Sequence, residues 1–270
     1  MVLALIVFSF SSLAYQNVKH IPDVVIGTDG GYPPFTFIND KGELDGFEIK
    51  LLKRACRMKR LRCKFVYKDL SFGDLLPGVK NHRFDIAVGG IGYTESRIPD
   101  FDFVKTFSAT KFFFGPSNTK ITTIPDDLAG MKIGVEASTQ FVAYIEALSA
   151  DLVAQGKAPI QITEYPNLEA IEVGLLSGEV TTTPTGIEVI EVLKEKSEFK
   201  GFEAIGPEII GGYKGSLFGQ GDGFMLRKGD SLQYYFGEAM QRMLNTCEYA
   251  RIEKQFFSGT NAYTPIHCRD

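Results

Sequence analysis

The chain has no tryptophan and only three histidines in 270 residues, His20, His82 and His267. None of the three falls on a loop where a ligand site is expected, which argues against a Ser/His/Asp triad. Positive charge is not in excess either. Lys and Arg number 29 against 33 Asp and Glu, a net charge of -4. Nucleic-acid binders usually carry a basic face, so that class is disfavoured, a local basic patch aside. No apolar run reaches the roughly 20 residues of a membrane-spanning helix, and no integral membrane span is expected. Cysteine is scarce, with four in all. No two stand at the C-x-x-C spacing of a zinc or thioredoxin-like centre. Internal repeats, low-complexity tracts and long linkers are missing, and no metal or cofactor is expected. What remains is ordinary globular composition, 44% hydrophobic and 23% charged, at a length that suits one large domain or about two.

The first residues read as an address. Val2 to Phe10 is apolar except for Ser9, and Ser12-Leu13-Ala14 puts small residues where a signal peptidase cuts. Residues 1–14 are expected to be a signal peptide, although no Lys or Arg precedes the apolar run. A buried first strand is the alternative. In an exported chain four Cys suggest two disulfides. Cys56, near the end of a predicted helix, pairs with Cys63 at the entry to a strand, and Cys247 pairs with Cys268. Four buried thiols are the other reading.

Hydrophobic periodicity then alternates between strand and helix. Strands are predicted at Val24–Ile26, Lys64–Tyr67, Phe84–Val88, Lys132–Val135, Ile160–Tyr165, Val180–Thr183 and Phe224–Leu226. Helices are predicted at Glu48–Lys59, Phe72–Lys80, Ser138–Leu148, Asn167–Ser177, Gly186–Lys196, Ser231–Leu244 and Ala250–Phe257, with a hairpin turn at Asn39–Gly42. This order implies α/β architecture with mainly parallel sheets, whose ligands bind at the carboxyl ends of strands. Those ends are Thr28–Pro34, Gly89–Arg97, Glu136–Gln140 and Thr183–Gly186. On them lie Asp29, Tyr32, Arg97, Ser138, Thr139 and Gln140, with Phe72 after the second α/β connection. Arg97 suits a carboxylate through its planar fork, and exposed N–H groups where a helix begins suit an anion. Tyr32 and Phe72 suit the apolar stem of a ligand. Each residue also has a plain reading as surface charge, N-cap or core.

Several runs together resemble one family. They are Ile26 to Phe35 (IGTDGGYPPF), Gly42 to Glu48, Phe84 to Val88, Thr94 to Arg97, Lys132 to Val135 and Ser138 to Gln140. They resemble the polar amino-acid-binding proteins, extracytoplasmic receptors of ABC importers such as the histidine- and lysine/arginine/ornithine-binding proteins. The resemblance implies the two-lobed periplasmic-binding-protein-like fold of type II, a periplasmic monomer and a permease partner in the inner membrane. Lobe one would be residues 22–112 plus 213–258, lobe two 113–207, and 259–270 a C-terminal tail, with hinges near Lys111–Phe114 and Ile205–Gly212.

By position, Arg97 would grip the ligand's α-carboxylate, helped by the N–H groups of Gly92 and Thr139, and the carbonyl of Gly90 would take the α-ammonium. Tyr32 and Phe72 would pack the ligand's side chain and Asp29 would meet its far end, with Ser138, Gln140 and Gly186 also lining the site. Two departures stand out. Thr185-Gly186 replaces an Asp that pairs with the α-ammonium in receptors for basic amino acids, and Gly90 and Gly92 stand where Ser or Thr is common. The glycines imply a larger pocket, and hence cystine or an opine-like conjugate, with lysine, arginine or histidine as the alternative. Some relatives on this scaffold are dehydratases. Glu136 and Glu188 are available as acids here, but both read as solvated, so no enzyme activity is expected.

Overall fold

The computed structural model describes residues 23–108, 110–210, 221–259 and 261–269. The expected signal segment 1–14 lies outside the described residues, as do residues 211 and 212 of the second expected hinge.

The first part of the chain runs β1 (Asp23–Gly27), β2 (Gly31–Tyr32), β3 (Thr36–Ile38), β4 (Leu44–Asp45), α1 (Phe47–Lys59), β5 (Arg62–Val66), α2 (Leu75–Lys80), β6 (Ile86–Ala87) and β7 (Phe101–Phe107). Then come β8 (Lys111–Pro116), β9 (Lys132–Glu136), α3 (Gln140–Ala154), β10 (Gln161–Tyr165), α4 (Leu168–Ser177), β11 (Thr183–Gly186), α5 (Ile187–Lys194) and β12 (Phe202–Ile205). The chain closes with β13 (Asp222–Arg227), α6 (Leu232–Asn245) and α7 (Glu248–Glu253).

Two larger groups of strands organise these elements into two α/β lobes, and β2, β3 and β4 form a small antiparallel sheet of their own. The first has the order β5-β1-β6-β13-β7, with β1 parallel to β5 and β6, and β13 antiparallel to β6 and β7. In the second, β9 and β10 pair in parallel while β8 lies antiparallel between β11 and β12. A bridge from Ile133 to Thr182 joins the two groups. The chain leaves the first sheet at Phe107 and enters the second at Lys111. Lys111–Phe114, expected as a hinge, is therefore the beginning of the central strand of the β11-β8-β12 group.

Local chemistry explains the elements that face the site. In α1 Leu51, Leu52, Ala55 and Cys56 share a buried face. Gly46 precedes it at φ 125, where a Cβ would lie 2.3 Å from the Phe35 carbonyl oxygen, so a glycine is required. Phenylalanine does the work of the missing tryptophan. Phe35, Phe47, Phe107 and Phe257 form one cluster of edge-to-face and tilted rings with centroids 4.9–6.3 Å apart. The second lobe packs Phe113, Ile133, Val135, Ile145, Leu148 and Leu152.

Both expected disulfides are present, Cys56–Cys63 with Cα atoms 6.2 Å apart and Cys247–Cys268 at 5.3 Å. The chain-entropy model gives a loop of the first size roughly 2–3 kcal/mol. The second bridge anchors the C-terminal tail, whose Asn261 accepts from the Ser108 N–H (3.1 Å) and donates to the Ser108 carbonyl (2.7 Å). The crossover between the sheets is thus held from behind.

Some boundaries differ from expectation. β7 was not predicted, because Asp102 and Lys105 interrupt its phenylalanines. β11 begins at Thr183, where the predicted strand ended, and it contains Pro184. Proline has no N–H to give a ladder and normally argues against a strand interior. α3 continues to Ala154 rather than stopping at Leu148, since Leu152 repeats the buried position one turn on. α7 ends at Glu253, well before Phe257.

Candidate ligand-binding site

The cleft between the lobes gathers eight of the ten expected site residues: Tyr32, Phe72, Gly90, Gly92, Arg97, Thr139, Gln140 and Gly186. Asp29 lines the adjoining mouth, and Ser138 an outer groove shared with Arg97, Thr139 and Gln140. Lys111, Glu136, Thr183, Pro184, Thr185, Asp222 and several apolar side chains complete the cleft lining.

Arg97 follows β6 on a turn that folds back on itself, and only 6% of it is exposed. Its Nη1 donates to the Gly92 carbonyl at 2.9 Å, and its guanidinium lies 5.8 Å from the Phe72 ring centroid. Among the described residues no carboxylate reaches ion-pair distance of it. Burial draws it down to about 10, partly offset by Asp222, so it stays charged at neutral pH. The result is a buried cation with donors to spare, which favours an anionic partner.

Tyr32 stacks on Phe35, and its hydroxyl lies 3.3 Å from Thr185 Oγ1 on the other sheet. Phe72 serves both sides, packing in a core with Leu75, Val79 and Phe84 while its ring borders the cleft. Replacing it by Leu keeps most of that core volume and removes the ring. The expected result is a stability loss under about 1.5 kcal/mol and an affinity loss larger for a long-chain amino acid than for a short one. Calorimetry with both ligands checks this, and equal losses would make Phe72 purely a core residue.

The expected enlargement at Gly90 and Gly92 is not what the structure contains. A Cβ on Gly90, which sits at φ +62, would lie 2.6 Å from the Tyr32 ring, and one on Gly92 would lie 2.4 Å from Gln140 Oε1. The room these glycines leave is taken up by Tyr32 and Gln140. The Thr139 N–H, expected to meet a ligand, donates to the Glu136 carbonyl at 3.3 Å in the turn that starts α3.

Glu136 is buried rather than solvated, and Glu188 is half-buried. Glu136 ends β9 and is 9% exposed, with no hydrogen-bond partner for its carboxylate among the described residues. Burial, reinforced by the charge of Asp29, pushes it up to about 8. Glu188 Oε2 is buried and unpartnered, and burial pushes that group up to about 7. Asp29 is raised too, mainly by burial, and its Oδ1 is also unpartnered. At the cleft floor Lys111 and Asp222, both buried, pair at 3.5 Å. Sequence reasoning missed this pair because each residue opens a strand. The Gly-Asp-Gly at 221–223 was the available signal.

Comparison with known proteins agrees with this geometry. The family model for bacterial extracellular solute-binding proteins, family 3, matches residues 24–259. The L-arginine-binding protein of Pseudomonas aeruginosa is 26% identical over 259 residues, covering 95% of this chain and 94% of the relative. The histidine-binding periplasmic protein of Escherichia coli is 28% identical over 257 residues, covering 93% and 94%. A solved ancestral arginine-binding protein bound to arginine superposes with a TM-score of 0.76 at 24% identity, covering 87% of this chain and 98% of that one. Its likeness speaks to the fold, two lobes of type II. A cleft between two lobes, lined from both sheets, and a family match over nearly the whole described chain lead to one conclusion: the protein belongs to the bacterial extracellular solute-binding proteins, family 3.

Proposed function

We propose that the protein is a periplasmic receptor that closes its two lobes on a basic amino acid and presents it to an ABC importer. The lobes in this reading are residues 22–112 plus 213–258 and residues 113–207, acting as a monomer. The observation that carries it is the charge left over in the cleft. Once Lys111 and Asp222 offset each other, Arg97 is a cation without a carboxylate, while Asp29 and Glu136 are carboxylates without a cation. A basic amino acid brings a carboxylate for Arg97 and a distal cation for the acidic side of the cleft, and its α-ammonium goes to the Gly90 carbonyl. Relatives named for arginine, histidine and lysine/arginine/ornithine binding point the same way. In this reading Arg97 takes the α-carboxylate, Tyr32 and Phe72 flank the side chain, and Asp29 meets the distal cation. Cystine or another double-headed ligand takes second place, because Tyr32 and Gln140 occupy the space Gly90 and Gly92 leave. An opine-like conjugate is retained as the second reading on the 24% identity to an octopine-binding periplasmic protein from Rhizobium meliloti.

A thermal-shift panel of the twenty amino acids, ornithine, cystine and octopine tests this. A ligand at a hundred times its Kd adds about 2.7 kcal/mol to stability, enough to move Tm by several degrees. Arginine, lysine, ornithine or histidine should give the largest shifts. A shift with octopine or cystine and none with these four would reverse the order of the two readings.

A further inference from the structure

Glu136 has a feature that neither core packing nor the turn before α3 explains. It stands at the carboxyl end of β9, faces the cleft, is 9% exposed, and its carboxylate has no donor or cation beside it among the described residues. An unpaired buried carboxylate is costly, and cores normally replace it with an apolar side chain. Asp29, which follows β1 in the other sheet, has a buried, unpartnered Oδ1 that lies 3.3 Å from where a Cβ on the cleft-lining Gly89 would stand, and its charge acts on Glu136. Two facing carboxyl groups cannot both carry charge cheaply, and Glu136, pushed up to about 8, is mostly protonated in the empty protein at neutral pH. A cation placed between them favours ionisation of both and is attracted from both sides.

We propose that Glu136 is the residue that makes closure depend on a cationic side chain: the ligand's distal cation sits between Glu136 of one lobe and Asp29 of the other. This rests on the reading of the protein as a receptor for basic amino acids, and it assigns the selection to a particular pair. A ligand shifts a conformational equilibrium only by its differential affinity for the two states. A neutral ligand of the same length gains no such attraction from this pair on closing. Arg97 holds the carboxylate end of either ligand equally, so it does not discriminate between them. Discrimination therefore falls to the distal end.

The test is calorimetry with L-arginine and L-citrulline, which share a shape and differ in charge, on the wild-type protein and on Glu136→Gln. Small-angle scattering reads the compaction on binding. The wild type should prefer arginine. Glu136→Gln should lose about tenfold or more of that preference, the cost of one unmade hydrogen bond to a charged group, and should compact with citrulline at least as readily as the wild type does. Glu136→Leu, which keeps an apolar wall, should lose the same preference, and the thermal melts of both variants report their folding. If folded variants keep the full wild-type preference, or lose affinity for both ligands equally, the role of Glu136 is overturned while the receptor reading stands. A wild-type protein that binds citrulline as tightly as arginine overturns the basic-ligand reading itself.

Discussion

Arg97→Ala should abolish measurable ligand binding while leaving the protein folded. Both halves follow from the surroundings of the guanidinium. Its one protein hydrogen bond is to the Gly92 carbonyl, and no carboxylate pairs with it among the described residues. Removing it relieves the protein of a buried cation that Asp222 only partly offsets, so the thermal midpoint without ligand should hold or rise. A ligand is affected very differently. Its carboxylate would enter a cleft with no cation to meet it at that end, and a buried charge stripped of its partner costs about 3–5 kcal/mol. That is on the order of a hundredfold or more in affinity. Arg97→Lys should recover only part of the loss, because an ammonium cannot reproduce the planar fork that bonds both carboxylate oxygens. Calorimetry with the best ligand of the panel decides the matter. Near-normal affinity in Arg97→Ala would remove Arg97 from the site and move attention to Lys111.

How much of this was visible in the linear chain depended on whether the signal was local. Arg97, Tyr32 and Gln140 could be placed beforehand because each lies on the loop that follows a strand, and strand ends in α/β sheets converge. The helices were legible for the same reason, since periodicity within α1 or α4 needs no knowledge of the partner. What stayed hidden depends on residues far apart in sequence. Lys111 and Asp222 are 111 positions apart, yet meet because β8 and β13 begin at the same place. Glu136 looked like a strand-end charge bound for water. In the folded chain it is 9% exposed and lines the cleft. Gly90 and Gly92 looked like room, and the side chains that fill that room come from residues 32 and 140. The edge of β11 was misplaced because Pro184 obscured it, and tertiary pairing with Phe113 overrode the local rule.

Glu48 should prove the most consequential residue that no ligand touches. It is the second residue of α1, completely buried, and its Oε2 accepts from the N–H groups of Gly89 (3.0 Å) and Gly90 (2.9 Å). Thr106 Oγ1 lies 3.1 Å from the other oxygen. Gly89 and Gly90 have φ values of 147 and 62, and Gly90 is the surface on which the Tyr32 ring rests. Glu48 is therefore a positioning residue for the loop that carries one wall of the cleft. Glu48→Ala leaves two buried N–H groups without an acceptor, which should cost roughly 2–4 kcal/mol of stability. It should also weaken ligand binding as the Tyr32 seat loosens. Glu48→Gln should bind normally, since an amide oxygen can accept from both glycines while its NH2 donates to Thr106. The two variants also separate by pH. Burial pushes Glu48 up to about 7 from 4.5, against the pull of those hydrogen bonds. Its folded value is above its unfolded one. The stability it contributes is thus whole below about pH 4.5 and is lost as pH rises through about 7. The difference amounts to on the order of 3 kcal/mol. Measured by denaturant titration at pH 5 and pH 8, Glu48→Gln should gain on the wild type as pH rises, whereas Glu48→Ala should be the less stable protein at pH 5. Normal affinity in a folded Glu48→Ala would show that Gly89 and Gly90 hold their shape without it, and that the wall of the cleft is set by their own backbone rather than by the buried acid.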